Sequence, residues 1–356
     1  MLKNIDKKML KMFGIVIGIV ALIFIILIII IAVNGSTKTY LQVENMMIDG
    51  AKKYYQKNTD ALPNNDNETS TISSDKLIEE GYLASFDKLL KDPTCSGQVN
   101  VSKSGNSYLY NATLNCNEKY ATKKFKNILI DTVVNSGNGL YKYNDTYIYR
   151  GDDVNNYVSF ADKIWRILKI NADGSIKLID TTKYNKVVWD DRYNSDKSYN
   201  IGINDYTVSR IKETLDEIEE TYTNEDLSYM MKQNLCIGKR SNSDTSTDGN
   251  IECSKTFDNQ YLGLIQINEF AQASLSELCK SPLDMECTNY NYLSDLRSSW
   301  TLTADSNTSY KVYKLANNIY LANANSSAQP SVVITINPNV NYATGDGTLE
   351  NPYTFR

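Results

Sequence analysis

Not one of the 356 residues is histidine. Ser-His-Asp and Cys-His nucleophile arrangements, His-ligated zinc and the histidine-carboxylate triad of iron oxygenases all need that side chain, so those chemistries are excluded. A basic surplus is also missing. The chain has 37 Lys and Arg against 42 Asp and Glu, a formal net charge of -5, so it presents no positive field to phosphates and no nucleic-acid partner is expected. No Cys-x-x-Cys pair occurs, which sets aside a four-cysteine zinc site. These absences give no catalytic residues and no cofactor, and point away from an enzyme.

What is present begins with an uncharged apolar run from Phe13 to Val33, preceded by Lys3, Lys7, Lys8 and Lys11 and followed by Asn34, Gly35 and Ser36. As a helix this run is roughly 31 Å long, the thickness of a bilayer's hydrocarbon core. Lysines on its N-terminal side hold that end in the cytoplasm and export the rest. The expected topology is a single pass: residues 1–12 cytoplasmic, 13–33 in the cell membrane and the bulk extracellular. A secretory signal has a shorter apolar core of about 7 to 15 residues, so an anchor fits better than a cleaved leader.

All six cysteines follow the run. Their even number on the exported side reads as disulfides. Fifteen pairings are possible, and local spacing favours Cys95 with Cys116, Cys236 with Cys253, and Cys279 with Cys287.

Beyond the anchor, Leu41, Met47, Ile48, Ala51 and Tyr55 mark one side of a helix over Thr39 to Gln56. Leu62-Pro63 and a polar stretch from Asn64 to Thr71 break it. A short helix is expected over Asp75 to Glu80, and strands at Gly97 to Lys103 and Ser107 to Asn115 form a hairpin between Cys95 and Cys116. This order of elements over about residues 10 to 120 resembles type IV pilins and pseudopilins. The resemblance implies a small α+β domain over 34–120, with pilin-like assembly partners as an alternative role. Prepilin processing at Gly14 would place an acidic residue where Ile19 stands, so the expectation stays with an uncleaved anchor.

Residues 121–144 read as a charged, then Gly/Asn-rich, linker. The remainder, 145–356, opens with strands at Lys163 to Ile170 and Ser175 to Asp180 across the turn Asn171-Ala-Asp-Gly174. A helix follows over Thr207 to Tyr222, with Val208, Ile211, Leu215, Ile218 and Tyr222 inward and an acidic outer face that reads as solvated. Gln260 to Ile267 reads as a strand and Asn268 as the cap of a helix burying Phe270, Ala271, Leu275 and Leu278. Short strands are expected at Ser299 to Thr303, Lys311 to Leu315, Asn318 to Leu321 and Gln329 to Ile336.

The segments Tyr157-Val-Ser-Phe160, Trp165-Arg-Ile-Leu168, Asp173-Gly-Ser175, Tyr261-Leu-Gly-Leu-Ile265, Ser299-Trp-Thr-Leu302 and Gln329-Pro-Ser-Val-Val333 follow in a characteristic order, and Gly345-Asp-Gly-Thr-Leu-Glu-Asn-Pro-Tyr353 closes the chain. Together they resemble an extracytoplasmic C-type-lectin-like, formylglycine-generating-enzyme-like module of Gram-positive surface proteins. The resemblance implies an α+β scaffold that presents loops for adhesion or recognition of a protein or glycan. Its oxidase branch would need reactive cysteines, and Cys279 with Cys287 is the only close pair. Trp165 and Trp300 sit in apolar strands and read as core; Tyr290, Tyr292, Tyr310 and Tyr313 are the candidate ligand contacts. Asp244, Ser246 and Asp248, with Gly249 next, have the oxygen spacing of a calcium loop, although Lys255 stands where the twelfth position needs a glutamate.

Overall fold

The computed structural model describes residues 37–356 except 297, together with residue 18. The apolar run 13–33, and with it the expected membrane span, lies outside the described residues. Among those described, no helix is long and apolar enough to cross a membrane. The architecture is α+β, dominated by antiparallel sheet.

The stem helix runs Tyr40–Lys57. Thr39 starts it with a capping box: its hydroxyl accepts from the Gln42 N–H, and the Gln42 side chain accepts from the Thr39 N–H in return. Val43, Met47, Ala51 and Tyr55, four residues apart, form its buried stripe. The stripe lies on a three-stranded sheet in which Ser96–Ser104 pairs with both Thr69–Ser73 and Ser107–Asn115. Gly50 lets the helix approach Tyr82, since a Cβ there would sit 2.8 Å from the Tyr82 carbonyl oxygen. The hairpin expected from the sequence is present, and Cys95–Cys116 closes its open end with Cα atoms 4.1 Å apart. Strand Thr69–Ser73 and helix Phe86–Leu90 occupy segments that carry too weak a pattern to read.

The 121–144 segment is not a loose linker. Phe125–Ile130 is a helix whose Phe125 and Leu129 enter the large core, and Gly139–Tyr143 pairs with Thr146–Arg150 at one edge of the main sheet. Charged and glycine residues around them hid a short apolar pattern. The head therefore begins near Lys123 instead of at residue 145.

The main sheet has seven strands, in the order Gly263–Leu264, Val332–Ile336, Ile176–Asp180, Lys163–Ile170, Thr146–Arg150 and Gly139–Tyr143, with Tyr157–Phe160 also paired to Lys163–Ile170. Trp165 and Ile167 on the central strand are fully buried. A second, six-stranded sheet centres on Ser299–Asp305. The expected single strand Gln329 to Ile336 is two. Ser327–Pro330 pairs in parallel with Ser299–Asp305, whereas Val332–Ile336 pairs with Ile176–Asp180. The break is at Ser331, whose hydroxyl donates to the Trp300 carbonyl. One segment thus joins the two sheets.

Two helix assignments shift. The regular helix begins at Arg210, because Ser209 accepts from the Lys212 N–H and caps it there; Tyr206–Val208 is a separate tight turn and Val208 is exposed. The later helix spans Ile267–Gln272 and is capped by Gln266 in a capping box with Glu269, not by Asn268. It ends before Leu275, and Leu278 faces solvent. Of the expected strand Gln260 to Ile267 only Gly263–Leu264 is regular, with Gln260 ending a separate strand, Thr256–Gln260, and Ile267 opening the helix.

Stem unit and head are bonded along a seam. Glu44, fully buried on the stem helix, meets Arg356 at 2.6 Å. The Asn341 amide donates to the Ala112 carbonyl at 2.6 Å, and Ser104 donates to the Met230 carbonyl at 2.6 Å. Lys232 and Asp66 add an ion pair at 3.0 Å.

Candidate functional site

Tyr157 stands directly opposite Arg166 in the pairing of strands Tyr157–Phe160 and Lys163–Ile170. The Arg166 guanidinium is sandwiched between two rings, 4.4 Å from the centroid of Tyr157 and 4.5 Å from that of Tyr292. Such a desolvated cation–π contact contributes about 2 kcal/mol per face. Arg166 also donates to the Asn156 side-chain oxygen at 2.8 Å and to the carbonyls of Val154 at 3.2 Å and Tyr292 at 3.4 Å. Burial pulls its pKa below the usual arginine value, and burial raises that of the Tyr292 phenol, which donates to the Ile167 carbonyl at 3.0 Å. The result is a rigid floor held on the central strand of the sheet.

Over this floor opens a cleft of about 540 Å³. Asp152, Asp153, Asp295 and Glu350 supply carboxylates, and Asn155 and Asn289 supply amides. Tyr290 stands on its rim with 62% of its surface exposed. Its loop is pinned from both sides. The Asn291 amide donates to the Phe270 and Cys287 carbonyls at 2.8 and 2.7 Å, and Cys279–Cys287 closes the segment. A preorganised aromatic edge loses little entropy on binding.

Carboxylate and amide groups placed around an exposed ring match a polyhydroxylated ligand: the acceptors take vicinal hydroxyls, and the ring covers an apolar C–H face. Four carboxylates against one guanidinium leave surplus negative charge, so acidic ligands are disfavoured here.

The other sequence candidates are dispersed. Tyr292 is 4% and Tyr313 1% exposed, so both are buried: the Tyr292 ring packs on Arg166 at the floor of the cleft, and the Tyr313 hydroxyl donates to the Arg240 carbonyl. Tyr310 is half-buried, with Lys197 5.1 Å above its ring. Trp165 and Trp300 are both fully buried, their indole N–H groups bonded to the carbonyls of Phe160 and Val187.

Hydrogen bonds within the calcium-spaced loop engage its side-chain oxygens. Asp244 accepts from the Ser241 N–H, Asp248 accepts from the Asn250 N–H and side-chain amide, and Ser246 donates to Asp248. The positive charge inside the loop is Arg240, fully buried, which donates to the Asp244 carbonyl and pairs with buried Glu252. Among the described residues no group of three or more Cys, Asp and Glu is placed to hold a metal.

All three disulfides pair as local spacing favoured. Cys279 and Cys287 are bonded to each other, so the free thiol pair that an oxidase would need is not there. Sequence reasoning missed Arg166, Tyr157 and the four carboxylates. Trp165-Arg-Ile-Leu168 lies within an expected strand, but Tyr157-Val-Ser-Phe160 carries no strand signal of its own, and only the pairing of the two sets Tyr157 against Arg166.

The chain is thus an α+β protein with three disulfides and a polar cleft on its larger unit. No family model, no curated protein and no solved structure matches it.

Proposed function

We propose that this chain is a membrane-anchored bacterial surface protein that recognises a glycan in the Tyr290 cleft and performs no catalysis. In this reading the C-type-lectin-like head is the recognition module, and the pilin-like unit is a short stalk between it and the anchor. The observation that carries the reading is one exposed, pinned tyrosine above a rigid Tyr157–Arg166–Tyr292 floor, ringed by four carboxylates. The lysine-flanked apolar run and three disulfides support an extracytoplasmic location.

The test is a neutral and amino-sugar glycan array probed with the full chain in mild detergent, alongside Tyr290→Ala. Binding lost at least tenfold in the variant supports the reading. No glycan retained by the parent, or equal binding by the variant, overturns it.

A second reading, a pseudopilin-like subunit of a secretion or pilus system, is favoured by one observation: the stem helix packs on a three-stranded antiparallel sheet. N-terminal mass spectrometry of the native protein separates the two. Cleavage after Gly14 favours the subunit, and an intact N-terminus favours the anchor.

A further inference from the structure

A second cleft, of about 430 Å³, opens on the head beside the seam and shares no residue with the Tyr290 cleft. At its base Lys169 and Lys177 stand directly opposite each other on adjacent strands. Like charges in that register repel. Both ammonium groups reach the same oxygen, Glu269 Oε1, at 3.1 and 2.6 Å, while Oε2 is taken by the Gln266 N–H at 3.2 Å. One negative charge therefore sits between two positive ones.

The hydrogen-bond valence is equally unbalanced. An ammonium carries three donors, and among the described residues Glu269 is the only acceptor within reach of Lys177 or paired with Lys169. Donors remain free at the floor of an open cleft. Other charges on its lining are engaged elsewhere: Lys232 with Asp66, Asp173 with the Ser175 N–H and hydroxyl, and Asp248 with Asn250. Asn268 lines the same cleft, is 4% exposed, and its Oδ1 has no partner among the described residues. Gly249, with φ +82°, lets the neighbouring loop lie on that amide, since a Cβ there would come within 2.6 Å of Asn268 Nδ2.

We propose that this cleft binds a small organic monocarboxylate carrying a hydroxyl beside the acid, of the size of a uronic acid. The carboxylate completes the pairing of Lys169 and Lys177, and the hydroxyl supplies the donor for which Asn268 has an acceptor. A carboxylate oxygen already fits between the two amines, as Glu269 shows. Burial lowers the Lys177 pKa against the pull of Glu269, and burial would raise that of Glu269 but is overcome by Lys177 and Lys169, which hold it at about 2.

The proposal stands independently of the Tyr290 cleft. It is tested by calorimetric titration of the full chain in detergent with glucuronate, with glucose and inorganic phosphate at matched ionic strength as controls. Glucuronate should bind at least tenfold more tightly than either control. Lys169→Gln, at a side chain 27% exposed, should weaken it at least tenfold with an unchanged melting temperature. Asn268→Ala, which removes the acceptor without burying a charge, should weaken it as well, and gives an independent reading should Lys169→Gln fail to fold. Tyr290→Ala should leave this affinity unchanged. Absence of glucuronate binding, equal binding of glucose, tighter binding of phosphate, or full affinity in both site variants would each overturn the assignment.

Discussion

The stem unit and the head solve the same problem of burying apolar surface at different ranges along the chain. In the stem unit one helix covers one hairpin and an added strand, all within Tyr40 to Cys116, and a single disulfide holds the hairpin's ends together. In the head, neighbouring strands come from distant segments: Ile176–Asp180 lies beside Val332–Ile336, and the 267–272 helix brings Glu269 onto Lys169 and Lys177. Both clefts with convergent polar groups are lined mainly by the head, with Asn67 of the stem unit at the edge of the second. Short-range folding makes a compact stalk, and long-range folding places unlike side chains side by side, which a binding site requires.

The largest test of this contrast is Glu269→Ala, which leaves buried Lys177 and half-buried Lys169 facing each other without their counter-charge. It should destabilise the head by about 3 to 5 kcal/mol, read by urea unfolding. An effect below about 1 kcal/mol would mean that the pair is effectively solvated. The same group gives the head an acid limb. Its folded pKa of about 2 lies below the ordinary 4.5, so the unfolded chain takes up the proton first. Stability is complete above about pH 4.5 and falls as the pH drops toward 2, and Glu269→Gln should flatten that part of the curve.

Next comes the stem disulfide. Replacing Cys95 and Cys116 together by Ser should cost the stem unit about 3 kcal/mol, for a 21-residue separation. The Tyr290 cleft, on the other unit, should keep its ligand. Loss of that binding in the double variant would break the separation drawn here.

Smaller again is the seam. Glu44 accepts from Tyr120 at 2.9 Å and from Thr122, and pairs with Arg356, so it ties the stem helix to the head. Glu44→Gln should cost about 1 to 3 kcal/mol and split one thermal transition into two in differential scanning calorimetry. A single undivided transition would show that the other seam contacts are enough to couple the units. The smallest effect belongs to Tyr290→Ala. An exposed rim residue should change stability by no more than about 0.5 kcal/mol, which makes its binding loss interpretable.

Legibility followed the same division. The stem helix, the hairpin at Ser104 to Ser107 and the turn at Asn171 to Gly174 were all readable, because each depends on periodicity or turn chemistry within about a dozen residues. Phe125, Leu129 and Leu140 fall in a segment that reads as linker, because their charged and glycine-rich surroundings leave too few apolar positions to form a pattern. Tyr290 and Tyr292 are two residues apart and looked alike, yet one is exposed and the other lies over Arg166. Only the packing of the 151–157 loop against the 287–292 segment separates them.

The amino-acid sequence alone favoured the disulfide partners, since short loops close at the smallest entropic cost, and it determined the local helices and hairpins through capping, period and turn residues. Tertiary structure decided that Ser331 hands one segment from sheet to sheet and that Glu269 stands between Lys169 and Lys177. Each of these depends on register and on contacts across tens of residues or more, where side-chain identity carries no information until the backbone has brought the partners together.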